Sequence, residues 1–140
     1  MILLDTNVVS ELMRAQPNPA VLDWFAAQRR DVFYISAITE AELRTGAAIL
    51  PDGARKTALE QAINEMVAQE FDARVLPFDS AAAKAYAHIA RDRRAAGRPL
   101  SEADCQIAAI ARAKSAQVAT RNTPDFEGCG VKLVNPWDAI

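Results

Sequence analysis

Short apolar runs alternate along this chain with longer, alanine-rich stretches in which apolar residues recur every three to four positions. The runs at 1–4 (Met-Ile-Leu-Leu), 32–35 (Val-Phe-Tyr-Ile), 74–77 (Arg-Val-Leu-Pro), 117–120 (Gln-Val-Ala-Thr) and 131–134 (Val-Lys-Leu-Val) predict buried strands. The periodic stretches predict helices over 7–14, 19–29, 37–49, 53–71, 80–96 and 102–115, the last with Ile107, Ile110 and Ala111 on one face. Apolar strands separated by helices belong to a mostly parallel sheet covered on both sides. No Pro/Gly/Ser-rich linker and no internal repeat breaks the pattern, so residues 1–140 read as one α/β domain.

Composition narrows the chemistry. With 51% hydrophobic and 24% charged residues, the chain is not of the disordered class. Two cysteines, Cys105 and Cys129, and a single histidine, His88, exclude a disulfide scaffold, a cysteine-only zinc site and a multi-histidine metal site. The apolar opening is too short for a signal peptide, and no stretch approaches the roughly 18 apolar residues of a membrane span. The expectation is a cytoplasmic protein with reduced thiols. A net charge of −2 makes no global case for nucleic acid, so such a case rests on where the 16 basic residues lie.

In open parallel sheets, ligands collect beyond the carboxyl ends of the strands. Asp5 follows the first predicted strand, with Thr6 and Asn7 behind it. Glu42 lies one and a half turns into the helix after the second, Asp104 in the first turn of the helix near 102–115, and Asp125 five residues beyond the fourth strand. Four carboxylates brought into one crevice repel one another, and a divalent cation would neutralise them. Oxygen ligands without histidine or thiolate select Mg2+ or Mn2+. Each acid also has a structural explanation. Asp5 or Thr6 can cap a helix, Thr39-x-x-Glu42 and Ser101-x-x-Asp104 have capping-box spacing, and Asp125 follows a proline in a turn. Capping, however, predicts no common location for the four.

Leu-Leu-Asp-Thr-Asn at 3–7, Ser-Ala-Ile-Thr-Glu-Ala-Glu-Leu-Arg-Thr-Gly at 36–46, Leu-Pro-Phe-Asp at 76–79, Asp104 with Ile107-Ala108-Ala109, and Ala-Thr-Arg-Asn-Thr-Pro-Asp-Phe at 119–126 together resemble the PIN domain. More narrowly, the chain resembles the VapC-type toxins of bacterial toxin–antitoxin pairs, including a FitB-like branch with Asn135-Pro136-Trp137 near its end. The resemblance spans essentially the whole chain, and it is the joint order of the motifs that is specific. It implies a Mg2+- or Mn2+-dependent endoribonuclease whose acids are Asp5, Glu42, Asp104 and Asp125, with Asp5, Asp104 and Asp125 holding metal. It places the family's acid on Glu42 rather than Glu40. Some relatives carry aspartate where this chain has Asn122, which divides the fourth position between Asn122 and Asp125.

On that reading Thr6, Asn7, Thr120 and Asn122 hold the carboxylates by hydrogen bonds. Arg91, Arg94 and Arg98 share a helical face leading toward Asp104, where an RNA backbone would lie, the alternative being arginines at a helix C-terminus. Arg44 and Arg121 flank proposed acids and would pair with them or touch phosphate. His88, Cys105 and Cys129 read as structural, Asp79 as a helix cap, and Trp24, Phe25 and Trp137 as packing residues. The resemblance also implies an antitoxin partner and self-association, with apolar positions on 37–49 and 53–71 available for either contact. A receiver domain lacks support here, as does a haloacid-dehalogenase-like phosphatase, which wants Asp-x-Asp where this chain has Asp5-Thr6-Asn7. The rival of another class is a non-catalytic module of the same fold that only binds RNA or protein.

Overall fold

The structure, a computed structural model, describes residues 1–138. Five strands, β1 (Ile2–Leu4), β2 (Phe33–Ser36), β3 (Val75–Leu76), β4 (Gln117–Ala119) and β5 (Leu133–Val134), form one sheet in the order β3-β2-β1-β4-β5. All neighbours run parallel, with Ile2 beside both Phe33 and Gln117, Ile35 beside Val75, and Val118 beside Leu133. Parallel neighbours require crossovers. Helices α1 (Thr6–Leu12), α2 (Pro19–Ala26), α3 (Ala37–Ala48), α4 (Ala54–Glu65), α5 (Ser80–Ala95) and α6 (Glu102–Ala113) supply them, and a short α7 (Thr123–Phe126) joins β4 to β5.

The pleat divides the strand residues between two cores. Leu3, Tyr34, Leu76, Val118 and Leu133 meet α5 and α6 on one face, among Ala82, Ile89, Ile107, Ala108 and Ile110. Leu4, Phe33, Ile35, Val75 and Ala119 meet Val8, Val9, Trp24 and Phe71 on the other. Phe33 stacks on Phe25 at 4.4 Å and leans on Trp24 at 5.5 Å, so these aromatics pack as expected. Alanines at 108, 109 and 111 are fully buried, which lets α6 sit close to its neighbours.

Helix starts are set by side-chain caps. Asp5, Asn18, Ser36, Asp79 and Ser101 each accept a backbone N–H of the helix that follows. The cap of α3 is Ser36, whose Oγ accepts from Thr39 N at 3.0 Å, so Thr39-x-x-Glu42 is not a capping box. Glu42 is thereby left without the capping role that its spacing suggested.

Other boundaries shift for identifiable reasons. The helix expected over 53–71 gives way after Glu65 to a π-helical turn, Met66–Glu70, beyond which Phe71 is buried. The one expected over 19–29 stops at Ala26 and re-enters β2 through a 3-10 turn, Arg30–Val32. The strand expected over 131–134 shortens to Leu133–Val134. The helix expected over 80–96 ends at Ala95, ahead of Gly97 with φ +71° and then Pro99. Helix α7 escaped the sequence pattern because four residues show no period; Pro124 in its first turn was its signal.

The winding places one crevice. From β1 the chain adds β2 and β3 on one side, then crosses to β4 and β5 on the other. The carboxyl ends of β1 and β4 therefore flank the topological switch point. Leu3, fully buried in the central strand, carries the core on which this depends. Leu3→Ala is expected to cost about 2–5 kcal/mol in urea denaturation. Ile49→Ala, at a position 78% exposed, should stay within roughly 0.5 kcal/mol of the wild type.

Candidate active site

The ladder between β1 and β4 runs up to Asp5, whose N–H donates to Ala119 O at 2.9 Å. Asp5 is only 5% exposed. One carboxylate oxygen accepts from Thr6 N at 2.8 Å and caps α1. The other accepts from Thr120 Oγ1 at 2.8 Å and from Asn7 Nδ2 at 3.4 Å. Thr120, fully buried beyond the end of β4, also accepts from Asn122 N at 3.0 Å. Asn7 Oδ1 accepts from Arg121 N at 3.3 Å. Residues 115 positions apart in sequence thus orient one carboxylate.

The remaining acids come from three helices. Glu42 on α3 accepts from Thr6 Oγ1 at 2.7 Å, and that hydroxyl lies 3.0 Å from Thr39 Oγ1. Asp104 sits in the first turn of α6, where its N–H donates to the cap Ser101 at 3.2 Å. Asp125 lies exposed in the first turn of α7.

The electrostatics show which acids feel one another. Burial pushes the Asp5 carboxyl above its ordinary pKa; hydrogen bonds from Thr120 and Thr6 oppose the rise, and the charges of Asp104 and Glu42 add to it. Burial also raises Asp104, opposed by the Ser101 hydroxyl bonding to its carboxylate and reinforced by Asp125 and Glu42. Asp5, Glu42 and Asp104 therefore share one field, and Asp125 enters it through Asp104. None of the ion pairs among the described residues includes any of the four. The side chains do not close on one point, and no three His, Cys, Asp or Glu among the described residues form a ready cation cage. Each of Asp5 and Glu42 is instead held on a threonine hydroxyl. The donor set is oxygen alone, the chemistry that a hard divalent cation takes.

Thr6, Asn7 and Thr120 stand where they hold carboxylates, whereas Asn122 reaches the site through its backbone N–H. The helical face expected for Arg91, Arg94 and Arg98 does not extend to all three. Arg98 lies past the end of α5, not on a face with Arg91 and Arg94, and donates to Pro124 O at 3.3 Å. Arg91 is paired with Asp92 at 2.9 Å. Arg44 pairs with Glu40, not Glu42, at 2.7 Å. Arg93, one of four arginines crowded between 91 and 98 but off the face expected to bind RNA, is 7% exposed and donates to Glu127 O at 2.6 Å. Arg93 and Arg98 together brace the turn carrying Asp125. The signal for Arg93 was its place four residues after the buried Ile89, on the same helical face. Cys105 and Cys129 are buried and His88 is exposed, none of them at the acids' hydrogen bonds.

The chain matches the PIN domain family over residues 2–127. It is 45% identical to VapC ribonuclease Y4jK of Sinorhizobium fredii over 138 residues, 99% of each protein. It is 43% identical to Toxin FitB of Neisseria gonorrhoeae over 137 residues, 98% of this chain and 99% of that one. The crystal structure of FitAcB from Neisseria gonorrhoeae superposes with a TM-score of 0.93 and 42% identity, covering 99% of this chain and 100% of that one.

The raised carboxyl of Asp5 has a signed consequence for stability. Between its unfolded value of 3.8 and its higher native value, the native state binds the extra proton. Stability contributed by Asp5 is therefore lost as pH rises through that window. In chelator, Asp5→Asn is expected to match the wild type at the acid end and to become progressively more stable than it as pH rises. Paired urea titrations from acid to neutral pH measure that difference, and a constant offset would contradict it.

Proposed function

The chain belongs to the PIN domain family, and on that footing we propose that it is the toxin of a toxin–antitoxin pair, an endoribonuclease dependent on Mg2+ or Mn2+. The observation that carries this reading is the shared field of Asp5, Glu42 and Asp104 at the switch point of the sheet, with no cationic side chain among the described residues paired to any of them. Full-length kinship to proteins named VapC ribonuclease and Toxin FitB supports it.

Asp5 and Asp104 would hold the cation directly, with Asp125 completing the set beside Asp104. When bound, the cation supplies an activated water and neutralises charge building on the scissile phosphate. The residues of this chain do the rest. Thr120 and Thr6 N–H orient Asp5 so that its carboxylate keeps one geometry. Glu42, bonded to the Thr6 hydroxyl, would act through a water, accepting a proton from the attacking molecule. Arg93 and Arg98 keep the Asp125 turn against the end of α5. A non-catalytic RNA-binding module accounts poorly for this site, because four carboxylates repel a polyanion.

The antitoxin partner has a surface to meet. A cleft of about 370 Å3 between α1, α2, α4 and the π-helical turn is lined by Leu12, Met13, Leu22, Phe25 and Met66. Of the helices expected to offer apolar positions, α3 leads into the exposed Ile49. No described helix is long and apolar enough to cross a membrane, and we place the pair in the cytoplasm.

Purified protein freed of its partner is expected to cut RNA in Mg2+ or Mn2+ and to stop when the cation is chelated. Asp5→Asn and Asp104→Asn should each lower the rate by more than about a hundredfold, and Thr120→Val by roughly 10- to 100-fold. Gel assays on structured RNA measure this. Intact RNA under all these conditions would favour the binding module.

A further inference from the structure

The residue after Thr120 carries a charge that the acidic site does not use. Arg121 is exposed, and its guanidinium carbon lies 5.0 Å from the centroid of the Trp137 ring. Its backbone is fixed on both sides. The N–H donates to Asn7 Oδ1 at 3.3 Å, and Asn7 in turn donates to Asp5. The carbonyl accepts from Asn135 Nδ2 at 3.4 Å, and Asn135 Oδ1 accepts from Trp137 N at 2.9 Å. One asparagine therefore brackets both partners of the stack, and the Asn135-Pro136-Trp137 motif acquires a task beyond packing.

Five other exposed arginines, Arg14, Arg29, Arg30, Arg44 and Arg91, are ion-paired, and Arg98 donates to Pro124 O. Arg55, Arg94 and Arg112 are exposed outside these pairs as well, but none of them adjoins a residue bonded to Asp5, as Arg121 adjoins Thr120. Arg121 has no ion pair among the described residues, and a ring face, unlike a carboxylate, leaves a guanidinium its charge and its in-plane donors. Trp137 is half-buried against the core shared by Leu4 and Ala119. It serves Arg121 as a support.

We propose that Arg121, stacked on Trp137 and tied through Asn7 to Asp5, is the residue of this chain that grips an RNA phosphate at the lip of the acidic site, with Trp137 as its positioning residue. This inference rests on the ribonuclease reading. It assigns to one preorganised arginine the anchoring that an acidic crevice, repelling its own substrate, needs.

Binding of a fluorescein-labelled, mixed-sequence single-stranded RNA, followed by anisotropy in chelator over a salt series, tests it apart from cleavage. Arg121→Ala is expected to weaken binding roughly five- to tenfold at 50 mM salt and to flatten the slope of log affinity against log salt by about 0.7, one phosphate contact on a single strand. Arg121→Lys should keep the slope while binding more weakly. Trp137→Leu should weaken binding less than Arg121→Ala and shrink the effect of adding that change to it. Circular dichroism and melting of the variants, unchanged from wild type, keep a folding defect out of the comparison. An Arg121→Ala protein with wild-type affinity and slope overturns the assignment, as does a wild type that binds no RNA. A larger loss in Trp137→Leu than in Arg121→Ala also overturns it, making the ring itself the contact. Because no cation is present, these outcomes stand whether or not the acids cut RNA.

Discussion

Like charges converging at one end of a sheet have to be held against their own repulsion, and the hydroxyl bonds that do so organise this site. Thr120 on Asp5 and Thr6 on Glu42 are short, at 2.8 and 2.7 Å, and each joins elements far apart in sequence. The parallel ladder brings β1 and β4 side by side and delivers Asp5 and Thr120 to the same level. Helix caps then set the depth of the other acids, because Ser36 and Ser101 fix where α3 and α6 begin. The two cores on either side of the sheet make that scaffold stiff enough for carboxylates to stay where their charges disfavour them.

The same arrangement costs stability. Asp5 is buried, and its carboxyl is pushed upward first by desolvation and then by Asp104 and Glu42. A site of this kind is a local departure from what would best stabilise the fold, and such departures concentrate where chemistry is done. The surrounding packing offsets it: Leu3 and Leu4 immediately before Asp5 are fully buried, as is Ala119 before Thr120.

Much of this was legible from the chain. Alternation of apolar runs with periodic stretches predicted the parallel sheet, since Leu3 and Leu4 must be buried on opposite faces at once. Asp5 could be placed at a strand end, and Glu42 and Asp104 near the starts of helices, from the same pattern. What it missed depends on single backbone events and on contacts distant in sequence. Gly97, at positive φ, ends α5 and takes Arg98 off the helical face that a uniform period extends through it. The short α7 has no period to detect. Ser36 outcompeted Thr39 as a cap because the chain leaves β2 at Ser36, a boundary that periodicity fixes only within a residue or two. The partner of Arg93, Glu127, and the stack of Arg121 on Trp137 follow from tertiary contacts invisible to local spacing.

If these acids serve one hard cation, anomalous diffraction from crystals grown with Mn2+ locates it. A peak is expected within ligand distance of Asp5 and Asp104, with Glu42 or a water on it in the surrounding shell. A fully occupied ion elsewhere, or none at this crevice at millimolar Mn2+ and neutral pH, would contradict it.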